Sequence, residues 1–135
     1  MTALRRLPRW PDRLTDFIES RRAMPFAWGS NDCITFCIDA VHAITGIRVL
    51  SEIGWTDEAS AMAAFEAVGG RVAAISSVLG RPNQNWREIK RGDVALAEQD
   101  GQVVTMLCAG AYLCGPGLDG IGFHPISATR MFWKV

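Results

Sequence analysis

The stretch PFAWGSNDCITFCIDAVHAITG, residues 25–46, decides the fold, because a polar turn runs directly into an amphipathic helix. Three polar side chains before Cys33 can accept hydrogen bonds from the unpaired N–H groups of a helix that begins there. They are Ser30, Asn31 and Asp32. Apolar residues then recur at the spacing of a core-facing helix, and Gly46 is suited to end it. The apolar positions are Ile34, Cys37, Ile38 and Val41.

The position of Cys33 predicts a reactive thiol. In the first helical turn, unpaired N–H groups and the positive end of the helix dipole stabilise a thiolate and lower the pKa of the thiol. The alternative is a small buried hydrophobic residue, since free cysteine is often fully buried. Cys37 lies on the apolar stripe and is predicted to pack in the core.

Two blocks of the chain are similar to a known family. An aromatic residue, Trp28-Gly29, a few polar residues and Asp32-Cys33 at the start of a helix resemble the NlpC-type family of papain-like cysteine peptidases. These enzymes cleave the stem peptides of peptidoglycan. The second block is RGDVAL at 91–96 followed by QVVTML at 102–107. In the family, a Gly-Asp pair opens one strand and the catalytic histidine begins the next.

The resemblance implies a papain-like α+β fold with Cys33 at the nucleophile position, but the other catalytic positions differ. Gln102 occupies the place of the family histidine and Cys114 that of the third polar member, while Ile34-Thr35 replaces the usual Ser-Gly. An amide can hydrogen-bond Cys33 but cannot take the thiol proton, and loss of a general base costs about 10²- to 10⁴-fold in rate. The resemblance therefore implies a degenerate site.

Two histidines remain as candidate bases. His42 follows Cys33 by nine residues, which places it on the opposite side of the helix and predicts a surface role. His124, on a predicted strand, is the alternative base for an active hydrolase. The cysteine and histidine spacings match no usual zinc site, so neither a metal nor a cofactor is expected.

The order of elements predicts one α+β domain: an N-terminal arm at 1–9, mostly helices at 10–90 and an antiparallel sheet at 91–135. A helix begins at Trp10, a third near Thr56, and a fourth covers residues 72–79. The third helix is predicted to point Met62, Phe65 and Val68 inward. Strands are predicted at 94–98, 103–108, 111–114, 121–125 and 131–135, with a loop at 115–120.

Composition excludes several classes of function. Fourteen basic and fourteen acidic residues cancel in a chain of 135, which argues against nucleic acid and anionic membranes as partners. No apolar run is long enough to span a membrane and no signal peptide is recognised, so synthesis in the cytoplasm is expected. The four cysteines are predicted to be reduced thiols.

The layout of the whole chain resembles small proteins encoded beside the tail-tip genes of tailed phages. This implies a structural component of the virion tail that contacts other tail-tip or hub proteins and has lost catalysis. The alternative is an active peptidase or amidase that acts on peptidoglycan. Trp10 has two expected roles. Together with its neighbouring arginines it docks the arm on a hub subunit, or it packs on the core of its own domain.

Overall fold

The computed structural model describes residues 4–135, which form four helices followed by a five-stranded antiparallel sheet. The predicted α+β class is confirmed. The helices are α1 Trp10–Arg21, α2 Cys33–Thr45, α3 Glu58–Glu66 and α4 Arg71–Leu79. The strands are β1 Val94–Gln99, β2 Gln102–Cys108, β3 Tyr112–Gly117, β4 Gly120–Pro125 and β5 Thr129–Trp133. Short 3-10 helices lie at Trp86–Glu88 and Ile126–Ala128.

The strands are arranged in the order β4-β3-β2-β1-β5, so the last strand returns to pair with the first. Consecutive strands from β1 to β4 form hairpins, and all pairs are antiparallel. The loop predicted at 115–120 is shorter than expected. Since Gly117 pairs with Gly120, β3 runs through most of that segment and only Leu118 and Asp119 form the turn.

The sheet buries both of its faces. On one face, α2 packs against a core that includes Leu96, Leu107, Cys114 and Trp133. The other face is covered by a smaller cluster that includes Met106, Leu113 and Phe132. Neighbouring residues of a strand point to opposite faces, so Leu107 lies on the α2 face and Met106 on the other.

Asp32 is the N-cap of α2. Its Oδ1 accepts hydrogen bonds from the N–H groups of Ile34 and Thr35 at 3.0 and 2.8 Å, and the Thr35 hydroxyl accepts the N–H of Asp32. Gly46 ends the helix with a φ of 78°, a left-handed conformation that favours glycine. Both ends of α2 therefore match the sequence prediction.

The predicted inner face of α3 is wrong for two of its three residues. Phe65 is buried, but Met62 and Val68 are 60% and 45% exposed. The reason is that Phe65 packs against Trp55 with the ring centroids 5.3 Å apart and the rings tilted by 52°, which turns the Ala61–Phe65 side of the helix inward. Met62 is then on an outer side, and Val68 lies beyond the end of the helix.

The described part of the N-terminal arm packs on the body of the protein. Arg6 binds Asp93 at 3.2 Å and donates to the carbonyl oxygens of Arg91 and Val135. The Arg6 guanidinium also lies over the Trp10 ring, 4.1 Å from its centroid. Trp10 packs against the core, which agrees with the second of the two roles expected for it. Residues 1–3 of the predicted arm lie outside the described residues.

Candidate functional site

A cleft of about 860 Å³ opens beside the first turn of α2. Its walls come from α2, from the α3–α4 region and from the facing ends of β2 and β3. It brings Cys33, Thr105 and His124 together, with Phe26 and Trp28 at one side. The two aromatic rings meet edge to face at 5.0 Å.

The cleft exists because β2 and β3 stop pairing. They pair only at Leu107 with Cys114 and at Cys108 with Leu113. If this register continued, the next hydrogen-bonded pair would join Thr105 of β2 to Pro116 of β3. Proline has no N–H to donate, so this pair cannot form both of its hydrogen bonds. Beyond this point β3 remains paired with β4 as far as Gly117, so the two hairpins diverge.

Cys33 is the first residue of α2 and is half-buried at the cleft. Burial raises the pKa of its thiol, and the nearby charge of Asp32 raises it further. Hydrogen bonds from the backbone of Thr105 and of Cys33 itself, together with the charge of Arg71, act in the opposite direction but do not prevail. The predicted lowering of this pKa is therefore wrong, because loss of water outweighs the helix terminus.

Cys37 is buried one turn further along α2, as predicted. Burial raises the pKa of its thiol well above the ordinary value, and the neighbouring sulfurs of Cys33 and Cys114 add to the effect. All four cysteines are free thiols, in agreement with the sequence analysis.

Gln102 begins β2 and lines the cleft, but its strand position directs it away from Cys33. Gln102 lies an odd number of positions before Leu107 in the strand, so its side chain leaves β2 on the face opposite α2. Thr105 shares the α2 face with Leu107, and its backbone lies close enough to Cys33 to act on the pKa of the thiol. The expectation that Gln102 holds Cys33 from the histidine position is corrected accordingly.

Cys114 lies in the middle of β3 and is fully buried. Its partner in β2 is Leu107, and both side chains belong to the core under α2. Burial raises the pKa of the Cys114 thiol to about 12, so it remains protonated near neutral pH. A buried neutral thiol that packs in the core does not supply the polar third member of a catalytic triad.

The two histidines have different surroundings. His42 is exposed in a groove with Arg13 and Arg48, remote from the cleft, as predicted. His124 is half-buried on β4 and lines the same cleft as Cys33. It pairs with Leu113, whose side chain lies on the sheet face opposite α2. Within residues 4–135 no hydrogen bond joins Cys33 to an imidazole, although the two residues share one cavity.

Thr105 is a residue of the cleft that was not predicted from the sequence. This residue is only 1% exposed, and its hydroxyl has no hydrogen-bond partner. The other buried side-chain hydroxyl without a partner in the described chain belongs to Thr129 of β5, which does not line the cleft. An unsatisfied buried hydroxyl costs stability, so Thr105 is an unusual residue to place beside a thiol.

Charged side chains stand around the cleft. Glu58 and Glu66 are exposed at its rim, and Arg71 is half-buried between the rim and Cys33. The Arg71 guanidinium donates to the carbonyl oxygen of Val103 at 2.9 Å. Two carboxylates against one guanidinium give the rim an acidic balance.

Other kinds of site receive no support from the described residues. Across residues 4–135, no three side chains of His, Cys, Asp or Glu come together as metal ligands would. In the same range no single helix is long and apolar enough to cross a membrane. Only α3 and α4 taken together reach that length and composition, and the pair is bent by 65°.

A family described as Domain of unknown function (DUF6950) matches residues 5–135. The chain belongs to this family. Comparison with curated proteins returns no match, and neither does comparison with solved structures. The DUF6950 description states no ligand or activity, so the cleft is the basis for a functional proposal. The NlpC-type arrangement stays a prediction.

Proposed function

We propose that the chain is a non-catalytic binding component of the tail tip of a tailed phage or phage-derived particle, built on a papain-like, NlpC-type arrangement. The observation that carries the proposal is the state of Cys33. It begins a helix that packs on the sheet, where the resemblance to the NlpC-type family would put the nucleophile, yet burial raises the pKa of its thiol and no imidazole hydrogen-bonds it within residues 4–135.

The chemistry of the surrounding groups supports loss of turnover. A cysteine peptidase needs a base that takes the thiol proton and then gives it to the leaving amine. Thr105, the strand residue beside Cys33, carries a hydroxyl that does not titrate near neutral pH. The cleft, however, is intact and open at its rim, which suits a site that binds a ligand without converting it.

Incubation with purified cell-wall fragments tests the loss of catalysis. The wild-type protein is expected to release no more soluble peptide than Cys33→Ala. Cys37→Ala is the matched control, since it removes a thiol from the same helix without changing the cleft lining. Digestion that is lost in Cys33→Ala and kept in Cys37→Ala would contradict the proposal.

Assembly into particles tests the proposed location. Tail structures purified from a producing strain are expected to contain the chain in a fixed ratio to the tail-tip proteins. Mass spectrometry of these particles measures that ratio. A chain that stays in the soluble fraction and is missing from the particles argues against a virion component.

His124 supports a second candidate, an active peptidase or amidase that cleaves peptidoglycan stem peptides. It lines the same cleft as Cys33 but lies on the sheet face opposite α2, so this reaction requires the imidazole to reach the thiol through the gap between β2 and β3. In this reaction the imidazole takes the thiol proton while the Cys33 sulfur bonds to the acyl carbon. The amide C–N bond then breaks and the imidazole gives the proton to the leaving amine. Water finally hydrolyses the thioester and releases the acid and the free thiol. His124→Ala should abolish any digestion, whereas His42→Ala, the surface histidine, should leave it unchanged.

A further inference from the structure

The gap between β2 and β3 is an incomplete part of the sheet. Ala109 N–H donates to Tyr112 O at 2.8 Å, and bonded positions alternate along an antiparallel pair. Leu107, Thr105 and Val103 therefore direct their main-chain groups toward β3. Only Leu107 of these three has a partner residue there. The Val103 carbonyl oxygen instead accepts from the Arg71 guanidinium at 2.9 Å, and the Thr105 N–H is directed at Cys33. The Val103 N–H and the Thr105 carbonyl oxygen are therefore the main-chain groups that the gap offers to another chain.

The residues that line the gap leave room for another chain. Gly115, Gly117 and Gly122 contribute no side chains to the wall formed by β3 and β4. A Cβ on Gly115 would meet nothing closer than 4.0 Å, from the Thr105 carbonyl oxygen and Met106 Cγ. Below this point the strands separate, and the Val103–Thr105 edge of β2 faces the cleft.

Thr105 is the second, independent indication of a ligand. The residue is only 1% exposed and lines the cleft, and its buried hydroxyl has no hydrogen-bond partner among the described residues. The side chain points to the α2 face, where Cys33 begins the helix. A polar group of a ligand that enters deeply here would satisfy the hydroxyl.

We infer that an extended segment of a partner protein binds in this gap and forms main-chain hydrogen bonds with the Val103 N–H and the Thr105 carbonyl oxygen of β2. This inference rests on the proposed function and specifies the kind of partner. Strand addition supplies affinity through the main chain, and pockets for alternate side chains supply selectivity. The acidic rim of Glu58 and Glu66 favours a segment that carries a lysine or arginine.

The geometry favours a protein segment over a peptidoglycan stem peptide. A regular antiparallel ladder requires successive L-residues whose side chains alternate between the faces. Stem peptides contain D-residues, which interrupt that alternation. Binding of an all-L peptide but not of a peptide with alternating D-residues therefore distinguishes a protein segment from a stem peptide.

NMR titration of the full-length protein tests the inference. The probe is acetyl-Ala-Lys-Ala-Val-Ala-amide at millimolar concentration, in an all-L form and in a form with alternating D-residues. The all-L peptide is expected to shift the amide signals of Val103 and Thr105 and to bind at least about tenfold more tightly than the alternating form. Equal binding of the two forms, or shifts confined to other surfaces, would overturn strand addition.

Two substitutions place the peptide in the gap. Gly115→Val adds a branched side chain to the wall and should weaken binding of the all-L peptide at least about tenfold. Gly54→Val is the matched control, because a Cβ there meets nothing within 4 Å and the residue lies outside the cleft. Thr105→Val should weaken binding roughly three- to tenfold, the size of one hydrogen bond, whereas Thr129→Val should not.

The outcome of this titration is distinct from that of the cell-wall assay. Cys33-dependent digestion contradicts the non-catalytic proposal whatever the peptide result. Unchanged binding in Gly115→Val, or no binding of the all-L peptide by the wild-type protein, overturns strand addition even when no digestion occurs.

Discussion

Trp55 donates its indole N–H to Asp32 Oδ2 at 2.7 Å, and this buried contact joins the start of α2 to the segment that precedes α3. The same oxygen accepts the N–H of Gly29 at 2.8 Å. The N-cap of α2 is therefore also the point where two connecting segments are held. The cleft depends on this arrangement because Cys33 follows Asp32 directly.

Asp32→Ala is expected to lower the free energy of unfolding by about 2–4 kcal/mol, since it removes a helix cap and leaves several buried N–H groups without an acceptor. Urea denaturation measures the change. Asp57→Ala is the control, because Asp57 caps α3 with similar geometry but is exposed, and its loss should be clearly smaller. Equal losses in both variants would show that Asp32 has no role beyond the local cap.

Arg6→Ala is expected to lower the free energy of unfolding by about 2 kcal/mol. The substitution leaves the carboxylate of Asp93 buried without its cation, but the loss is limited because solvent screens the partly exposed Arg6 side chain. Thermal unfolding measures the effect. Arg9→Ala removes a fully solvated pair with Asp12 and should change stability by less than about 0.5 kcal/mol.

The contact between Arg6 and Asp93 limits how docking by the N-terminal arm can be tested. Deletion of residues 1–9 would remove Arg6 and destabilise the body, so a loss of assembly would not identify a binding surface. The exposed Arg5 and Arg9 are better targets. If the arm docks on a hub subunit, Arg5→Ala with Arg9→Ala should reduce incorporation into particles without lowering the melting temperature.

Thr105→Val and Thr129→Val are each expected to raise the free energy of unfolding by about 1 kcal/mol. Both replace a buried hydroxyl that has no partner with a methyl group of similar shape. Only Thr105→Val should also reduce peptide binding. A destabilised Thr105→Val protein would indicate that the hydroxyl has a partner within the protein.

The sequence predicted the features that depend on nearby residues. The bounds of α2 follow from Asp32 and Gly46, which act within one helical turn, and the Asp100-Gly101 turn sets the β1–β2 hairpin. The features it did not predict depend on distant contacts. The inner face of α3 is set by Trp55, and the pKa of Cys33 by burial under the sheet.

The error at Gln102 has a similar origin. A match to a family motif counts positions along the chain, but a shift of one residue moves a side chain to the other face of a strand. The pairing of β2 with β1 and β3 decides which residue faces Cys33, and that residue is Thr105. The cleft itself was also not predicted, because it depends on the register that places Pro116 opposite Thr105.

The stability of the protein is expected to decrease as the pH rises above 9. Burial raises the pKa of the Cys114 thiol from 9.0 to about 12. Between these values the unfolded chain loses the thiol proton and the folded chain keeps it. Because the unfolded state then binds fewer protons, the free energy of unfolding falls as the pH rises. Cys114→Ala should make this part of the curve less steep, measured by urea denaturation at several pH values, and the slope that remains comes from the buried Cys37 thiol, whose pKa is also raised. Val68→Ala, at an exposed position, should retain the wild-type slope.

Alkylation by iodoacetamide tests the positions assigned to Cys33 and Gln102. At neutral pH, Cys33 should react more slowly than a free cysteine in a peptide, because burial raises the pKa of its thiol, but faster than Cys37, whose pKa is higher and whose side chain is buried. Gln102→His should leave the rate at Cys33 unchanged, since the new imidazole would leave β2 on the face opposite α2. Mass spectrometry of digested samples measures the rate at each cysteine. Faster alkylation of Cys33 in Gln102→His would show that residue 102 reaches the thiol after all.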